Sequence, residues 1–498
     1  MSYATSSDQS QMTTQSNSTP VNAGTVPDLV KIGQIPTNTA IDIETDVLDP
    51  VVHTDKFCRF QLQNKGILHS NSKIVLRLKK STLDGFMPAG VGIHSLIERC
   101  SLRVGTKTVS EIDDFNHYMG YKSMFLSNEH QKQRESYISG RYLAHKPYYD
   151  EGTTAGDEAL TGTLIDLTQD APTVGLDNGK AVSADGGPTS ALFAQPHVVN
   201  NSTYGVEFAI SIQDLFPFLY SNQLPLFMMK EPVTIELFFS AAAQKRLCMS
   251  DANSGDTGLA FEIDTTATEL IADYQYFPQE MMEEYARQNA NLSFTFMDYR
   301  LAKRTIEANA SGAEASTGEL IMNVGGAGRL VTKAVTCLSN DSIGDQSILN
   351  EYHSVGMMNA GGVAPGTLTS NVKYNDHFLY PVDVTNAAQQ FHNVVQGEGM
   401  VPFVTRDEYS NQGGTMTLSS YEGHAQNDTK KGLQSQFFYQ VYKLNRNERI
   451  NSRGLELYNT FDKIENQDGA KQSFTLRTYL ELIRVASLKD GMLDVYFA

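Results

Sequence analysis

Two pairs of adjacent acids, Asp113-Asp114 and Glu283-Glu284, are the first residues of this chain whose spacing invites chemistry. Two carboxylates can share acid and base work when their surroundings push their pKa values apart. Adjacent positions, however, leave a helix on different faces, so each pair reads as a solvated face or a helix cap. The histidines, among them His94, His117, His145 and His377, lack ligand spacing and read as surface or structural residues. Cys58, Cys100, Cys248 and Cys337 lie far apart with no Cys-x-x-Cys pair. That pattern offers no zinc or redox motif and leaves lone buried thiols.

Nucleophile and cofactor motifs are missing as well. There is no Gly-x-Ser-x-Gly, no His-Glu-x-x-His and no His-x-His followed by Glu at the spacing of a cupin metal site. The glycine cluster of Asn323 to Leu330, NVGGAGRL, lacks Gly-x-Gly-x-x-Gly and reads as a turn between strands. The acidic run of Asp42 to Pro50, DIETDVLDP, has oxygens for a hard cation, or it guards an exposed strand edge with charge, which is the reading preferred here. No catalytic, cofactor-binding or metal-binding residue is assigned, no cofactor is expected, and the protein is not expected to be an enzyme.

Such residues need elements to hold them, and composition limits what those elements are. A chain of 498 residues exceeds one ordinary core and suggests two or more domains. Its formal charge of −18 argues against a direct grip on nucleic acid, which rests on clustered Lys and Arg. Only 19% of residues are charged, and Gly, Ser, Thr and Asn abound, a balance suited to strands and long loops. The first twenty residues are rich in Ser, Thr and Gln, too polar to repay ordering, and read as a flexible arm. They have neither the basic start nor the apolar centre of a signal peptide. A reducing compartment is therefore expected, and the sequons at Asn200 and Asn427 read as chance.

The most apolar stretch, Ser211 to Phe239, cannot cross a membrane as a helix: Asp214, Asn222, Lys230 and Glu231 interrupt it, as do Pro217, Pro225 and Pro232. Proline removes a donor and clashes with the preceding turn, so short extended pieces joined by turns are expected. The last piece alternates, with Val233, Ile235, Leu237 and Phe239 on one face. Cys58, Phe60 and Leu62 alternate likewise, and so do Ile74, Leu76 and Leu78.

A hairpin is expected where Leu102–Val104 and Lys107–Val109 flank Gly105-Thr106. A helix follows, with Ser110 and Asp113 in a capping-box pattern and Phe115, Tyr118, Met119, Phe125 and Leu126 at helical spacing, interrupted by Lys122. The device recurs 270 residues on: Asn375-Asp376 makes the turn, and Val384, Ala387, Ala388, Val394 and Val395 fall at helical spacing, with Phe391 opposite Lys122. A long stretch rich in Gly, Ser, Asp and Thr follows each helix, Gly152 to Pro196 and Gly397 to Lys431, and strands then resume. Two similar all-β domains in tandem account for the length, the repeat and the alternation. The expected division is an arm over 1–30, a first domain over 31–250 and a second over 251–498, with the boundary between Ser250 and Gly258.

These phrases resemble the double jelly-roll major capsid proteins of large eukaryotic DNA viruses, virophages and polinton-like viruses. The resemblance is carried in order by Gly92 to Phe125 (GIHSLIERCSLRVGTKTVSEIDDFNHYMGYKSMF), by Ile212 to Phe218, Leu224-Pro225-Leu226 and Val233 to Phe239, by the interdomain-like Tyr274 to Gln288 (YQYFPQEMMEEYARQ), and by Leu444 to Asn459 (LNRNERINSRGLELYN). It implies two tandem antiparallel eight-stranded jelly rolls with short helices in loops. It also implies a structural role in the virion: homotrimeric, nearly hexagonal capsomers that tile an icosahedral shell around double-stranded DNA, assembled in the host cytoplasm or nucleus. Implied partners are further copies of the chain and minor capsid and penton proteins, with an inner membrane left open. Two alternatives stand beside it. One is a viral membrane scaffold of the same fold. The other is a two-jelly-roll carbohydrate-binding protein or hydrolase, disfavoured by the lack of a secretion signal, of Trp for sugar stacking and of a disulfide framework.

The arm reading generates a test. Deletion of Ser2 to Pro20 is expected to leave soluble trimers and to impair particle assembly, measured by light scattering and negative stain; loss of folding would place the arm within the first domain.

Overall fold

The computed structural model describes residues 41–80, 86–88, 91–125, 206–221, 223–240, 261–307, 316–340, 367–404, 439–444, 448–464 and 473–497, with short pieces at 138–139, within 148–181 and at 414–415. The arm, the expected boundary at 250–258, Cys248, His145, both sequons and most of the two Gly-rich stretches lie outside the described residues.

Eleven strands of the first half form two antiparallel sheets. In chain order they are β1 (Asp42–Leu48), β2 (Val52–Thr54), β3 (Phe57–Leu62), β4 (Ile67–Leu68), β5 (Lys73–Lys80), β6 (Ile97–Val104), β7 (Lys107–Asp113), β8 (Val206–Ser211), β9 (Val233–Phe239), β10 (Phe261–Ile263) and β11 (Glu269–Tyr276). One sheet runs β1-β11-β5-β8, with β10 pairing β5 and β4 pairing β11; the other runs β2-β3-β9-β6-β7. The expected faces close the space between them: Cys58, Phe60, Leu62, Ile74, Leu76, Leu78, Val233, Ile235 and Leu237 are all buried, as face-to-face packing of alternating strands requires.

The second half repeats the plan with β12 (Asn291–Glu307), β13 (Ser316–Gly325), β14 (Val331–Asn340), β15 (Thr367–Tyr374), β16 (His377–Phe378), β17 (Gln440–Lys443), β18 (Leu455–Ile464), β19 (Ser473–Lys489) and β20 (Met492–Phe497). Its sheets run β12-β19-β14-β17, with β20 paired to β19, and β13-β18-β15-β16. Leu320, Met322, Val331, Val372, Leu457, Leu476, Leu480 and Leu482 fill the space between these two. The larger core belongs to both halves: Phe296, Tyr299, Cys337, Tyr439 and Tyr479 join the residues of the first pair of sheets. The inner strands β19 and β14 are therefore covered on both faces. Across the joint Phe218 packs on Phe294 and Phe296, with ring centroids 5.2 and 4.8 Å apart, and Tyr118 packs on Tyr299 and Tyr479 at 4.5 and 5.5 Å.

Both expected hairpins form. Val104 pairs with Lys107 around Gly105, whose φ of +56° suits a residue without a Cβ. Tyr374 pairs with His377 around Asn375 and Asp376, which both have positive φ, the backbone of a tight two-residue turn. NVGGAGRL is the turn between β13 and β14, and β1 is the exposed edge of its sheet, with Lys65 bridging Glu44 and Asp46.

Three local expectations are corrected. The proline-broken stretch holds single helical turns, Ile212–Leu215 and Pro217–Ser221, as well as extended pieces. Pro217 is the first residue of its turn, where a missing N–H costs nothing. The helix α1 (Phe115–Lys122) is not capped by Ser110 and Asp113: both belong to β7, and Ser110 donates instead to Asp298. In the second half, α3 (Ala387–Glu398) starts at Asn386, whose side chain accepts from the Gln389 N–H, so Val384 precedes the helix and bridges Ser370. Gly397 thus belongs to this helix, not to the loop after it. Between the halves lies a third helix, α2 (Gln279–Gln288), starting after Pro278.

Gly397 lets α3 lie directly on β17. A Cβ there would stand 2.4 Å from Val441 Cγ1, too close for any real contact. Gly397→Ala is expected to destabilise the protein by about 1–3 kcal/mol through overpacking, read from urea unfolding, and Val441→Ala in the same chain is expected to recover part of the loss.

Candidate functional site: the charged seam between the two halves

The seam is centred on strands β19 and β14, whose two faces are both buried. On β19, Leu476, Leu480 and Leu482 enter the core of the second half. Arg477, Tyr479 and Glu481 point the other way, to the first half, and are equally buried. A charge taken from water must find a partner there, because desolvation costs several kcal/mol per ion.

Asp114 supplies the first partner. It links β7 to α1 in the left-handed conformation (φ 46°, ψ 45°), caps nothing with its side chain, and is buried. Its Oδ2 accepts from Arg477 Nε at 2.8 Å, Lys303 Nζ lies 3.3 Å from its Oδ1, and its carbonyl accepts from the Tyr479 hydroxyl at 2.8 Å. The expectation of a solvated face or cap for this acid is therefore corrected: it is an ion-pair anchor between the halves. Asp113 remains exposed at the end of β7. Glu283 and Glu284 are on α2 as expected, where Glu283 accepts from Gln279 and Glu284 pairs with Arg287.

Asp298 on β12 supplies the second. It accepts from Arg484 Nη1 at 2.6 Å and Ser110 Oγ at 3.0 Å, and Arg484 also donates to the carbonyl of Val109. Burial still pushes the Asp298 carboxyl above its ordinary pKa, against the pull of Arg484.

The third group is a network. Lys333 on β14 pairs with Glu398 at the end of α3 and with Glu481 at 3.1 Å. Glu481 also accepts from Tyr299 at 3.0 Å and Thr332 at 2.6 Å, while Glu398 accepts from Tyr121 on α1 and faces Lys122 at 3.8 Å. Burial opposes both charges, yet Glu481 and Glu398 hold the Lys333 pKa above normal, and Lys122 and Lys333 hold the Glu398 pKa below normal.

The remaining candidates lie apart. His94 is buried, its Nε2 3.7 Å from Asp214 Oδ2; His117 is buried on α1; His377 sits on the second hairpin. Cys58, Cys100 and Cys337 are buried thiols outside any disulfide, and burial raises the thiol pKa of Cys58 to about 12 and that of Cys100 well above normal, which suppresses the nucleophilic thiolate. A cleft of about 390 Å³ opens beside the seam, lined by Glu98, Arg99, Asp113, Asp114, Phe238, Leu301 and Lys303. Its Asp114 and Lys303 are engaged with each other. Among the described residues no cluster of His, Cys, Asp or Glu is arranged to hold a metal, and no helix is long and apolar enough to cross a membrane.

Lys333→Ala is expected to cost about 3–5 kcal/mol at pH 7, because it strands the buried Glu481 and leaves Glu398 only the more distant Lys122. The loss should shrink at acid pH, where a protonated Glu398 no longer needs the cation. In the unaltered chain the Glu398 contribution has the depressed-acid sign. It is present above the ordinary carboxyl value and is lost as the pH falls through the lower folded value. Urea titrations of both proteins between pH 3 and 7 check both statements.

No protein-family model matches the chain, and no curated protein is similar to it in sequence. Solved structures do match over nearly the whole length. A chain from the structure of the Sputnik virophage is 11% identical with a TM-score of 0.56, covering 96% of this chain and 93% of that one. The major capsid protein of mavirus is 8% identical with a TM-score of 0.51, covering 100% and 95%. A chain of the PBCV-1 virus capsid is 10% identical, again with a TM-score of 0.51, covering 93% and 98%. The two tandem pairs of antiparallel sheets joined by this seam are thus the double jelly-roll fold of those viral proteins.

Proposed function

We propose that the protein is a major capsid protein, a structural unit of a virion shell whose work is geometric and involves no bond-making step. The observation that carries the reading is the match along almost the full length of both chains with the mavirus capsid protein and the PBCV-1 capsid chain. The buried seam supports it, because a tile needs its two jelly rolls fixed relative to each other. In this reading three copies form a capsomer whose six jelly rolls give a nearly hexagonal outline. Capsomers then tile an icosahedral shell around double-stranded DNA beside minor capsid and penton proteins. No residue acts in catalysis.

We also propose that the arm over 1–30 precedes two jelly-roll domains whose junction lies at α2, later than the sequence expectation of 250/251. The pairing of β11 with β1 and β5, and of β12 with β19, supports this placement.

Purified protein is expected to scatter light near three times 55.0 kDa at moderate salt. It should remain trimeric on dilution and look hexagonal in negative stain. Raising the salt should favour association of trimers, since repulsion between chains of net charge −18 is screened over about 10 Å at 0.1 M. A stable monomer at micromolar concentration would overturn the reading. Near absence from purified virions by mass spectrometry would favour the scaffold, and saturable hits on a glycan array the carbohydrate-binding alternative.

A further inference from the structure

The space between the two sheets of the second half is mostly aliphatic, yet five polar side chains enter it. Successive side chains of a strand point to opposite faces, so a residue two places from a core position shares its face. Gln440 stands two before Tyr442 on β17, Thr336 two after Ala334 on β14, and Thr478 two after Leu476 on β19. Ser370 likewise stands two before Val372 on β15, and Asn459 two after Leu457 on β18. All five are buried.

Strand pairing gathers them. Gln440 lies opposite Thr336 and Thr336 opposite Thr478, with the two threonine hydroxyl oxygens 3.0 Å apart. Asn459 lies opposite Ser370, whose Oγ accepts from the Tyr442 hydroxyl across the space between the sheets. The hydroxyls thus satisfy one another. The amides do not: Gln440 and Asn459 are each 2% exposed, and neither the nitrogen nor the oxygen of either side chain has a hydrogen-bond partner among the described residues.

The fold does not demand polarity at this place. Val104 pairs with Lys107 in the first hairpin where Tyr374 pairs with His377 in the second, so Cys100 is the counterpart of Ser370. Cys100 lies opposite Leu237. Leucine therefore occupies, in the first half, the position that Asn459 holds in the second.

A buried amide left unmet costs about 1–3 kcal/mol, and native interiors meet such groups with ordered water where the protein supplies no partner. The occupant must be small, because both side chains are closed off from solvent. It must also donate and accept, because each amide presents N–H donors beside a carbonyl acceptor.

We propose that the second jelly roll encloses an internal hydration site, in which ordered water bridges the side-chain amides of Gln440 and Asn459 and the hydroxyls of Thr336, Thr478 and Ser370 form its border. The site is independent of the capsid reading.

Two measurements on the full chain test it. A density map fine enough to show water should carry a peak at roughly 2.7–3.2 Å from amide atoms of both Gln440 and Asn459. Absence of the peak, or direct bonding of the two amides to protein groups, would overturn the site. Thermal unfolding then compares the native chain with Gln440→Leu, Asn459→Leu and the double variant. Shared water makes the two substitutions interdependent: each single variant strands the other amide and should melt several degrees below the native chain, whereas the double variant should recover part of the loss. Dry amides predict the reverse, since each leucine would then remove an unmet group. Single variants that both melt higher, with gains that add in the double variant, would overturn the proposal, and where a variant does not fold the map decides.

Discussion

A sheet whose inner strands β19 and β14 are buried on both faces is the constraint on which the rest of the molecule depends. The strands β12, β19, β14 and β17 give one surface to the core of the second half and the other to the first half. Every charged group on the inner surface must then be paired within the protein. Arg477 with Asp114, Arg484 with Asp298, and Lys333 with Glu398 and Glu481 are those pairs. Such pairs add little net stability over an apolar seam. Their geometry discriminates instead, because a slip of one residue between the halves would leave several buried charges unmatched.

The backbone bears part of that cost. Asp114 adopts a left-handed conformation that disfavours a side chain by roughly 1–2 kcal/mol. In exchange its carboxylate turns back toward Arg477 while its carbonyl meets the Tyr479 hydroxyl. Glycine would relieve the strain but remove the anion. Aspartate is the residue that satisfies both demands, since it tolerates this region better than most and carries the charge.

Much of the fold was legible in sequence because most strands have one apolar face. Cys58, Phe60 and Leu62, or Val233, Ile235 and Leu237, announce a period of two, and the turns at Gly105 and Asn375-Asp376 announce hairpins. The seam was not legible, and the reason is physical. Arg477, Tyr479 and Glu481 alternate with leucines just as a solvated face would, and periodicity cannot tell water from a partner domain. Asp114 misled in the same way: an acid before a helix looks like a cap, whereas the cation that fixes its role lies 363 residues away. Glu236, in the middle of an apolar strand, belongs to this class too, being buried between Arg59 and Arg103. The proline-rich stretch failed for a local reason, since proline forbids the interior of a helix but not its first turn.

Continuity of the core decides how the two jelly rolls behave as a unit. Interfaces between domains of one chain are commonly modest and polar, and leave relative motion possible. Here the aromatic contacts of Phe218 with Phe294 and Phe296, and of Tyr118 with Tyr299 and Tyr479, belong to one uninterrupted apolar cluster. Hinge motion would have to open that cluster and expose paired charges together. Either cost alone disfavours it, and both fall on the same strands. The helices that follow the two hairpins sharpen the point. Tyr121 and Lys122 of α1 and Glu398 of α3 meet at a single carboxylate, so the repeated hairpin-and-helix device of each half ends where it engages its counterpart. The repeat visible in the sequence is therefore a means of locking two like domains face to face as well as a sign of their likeness.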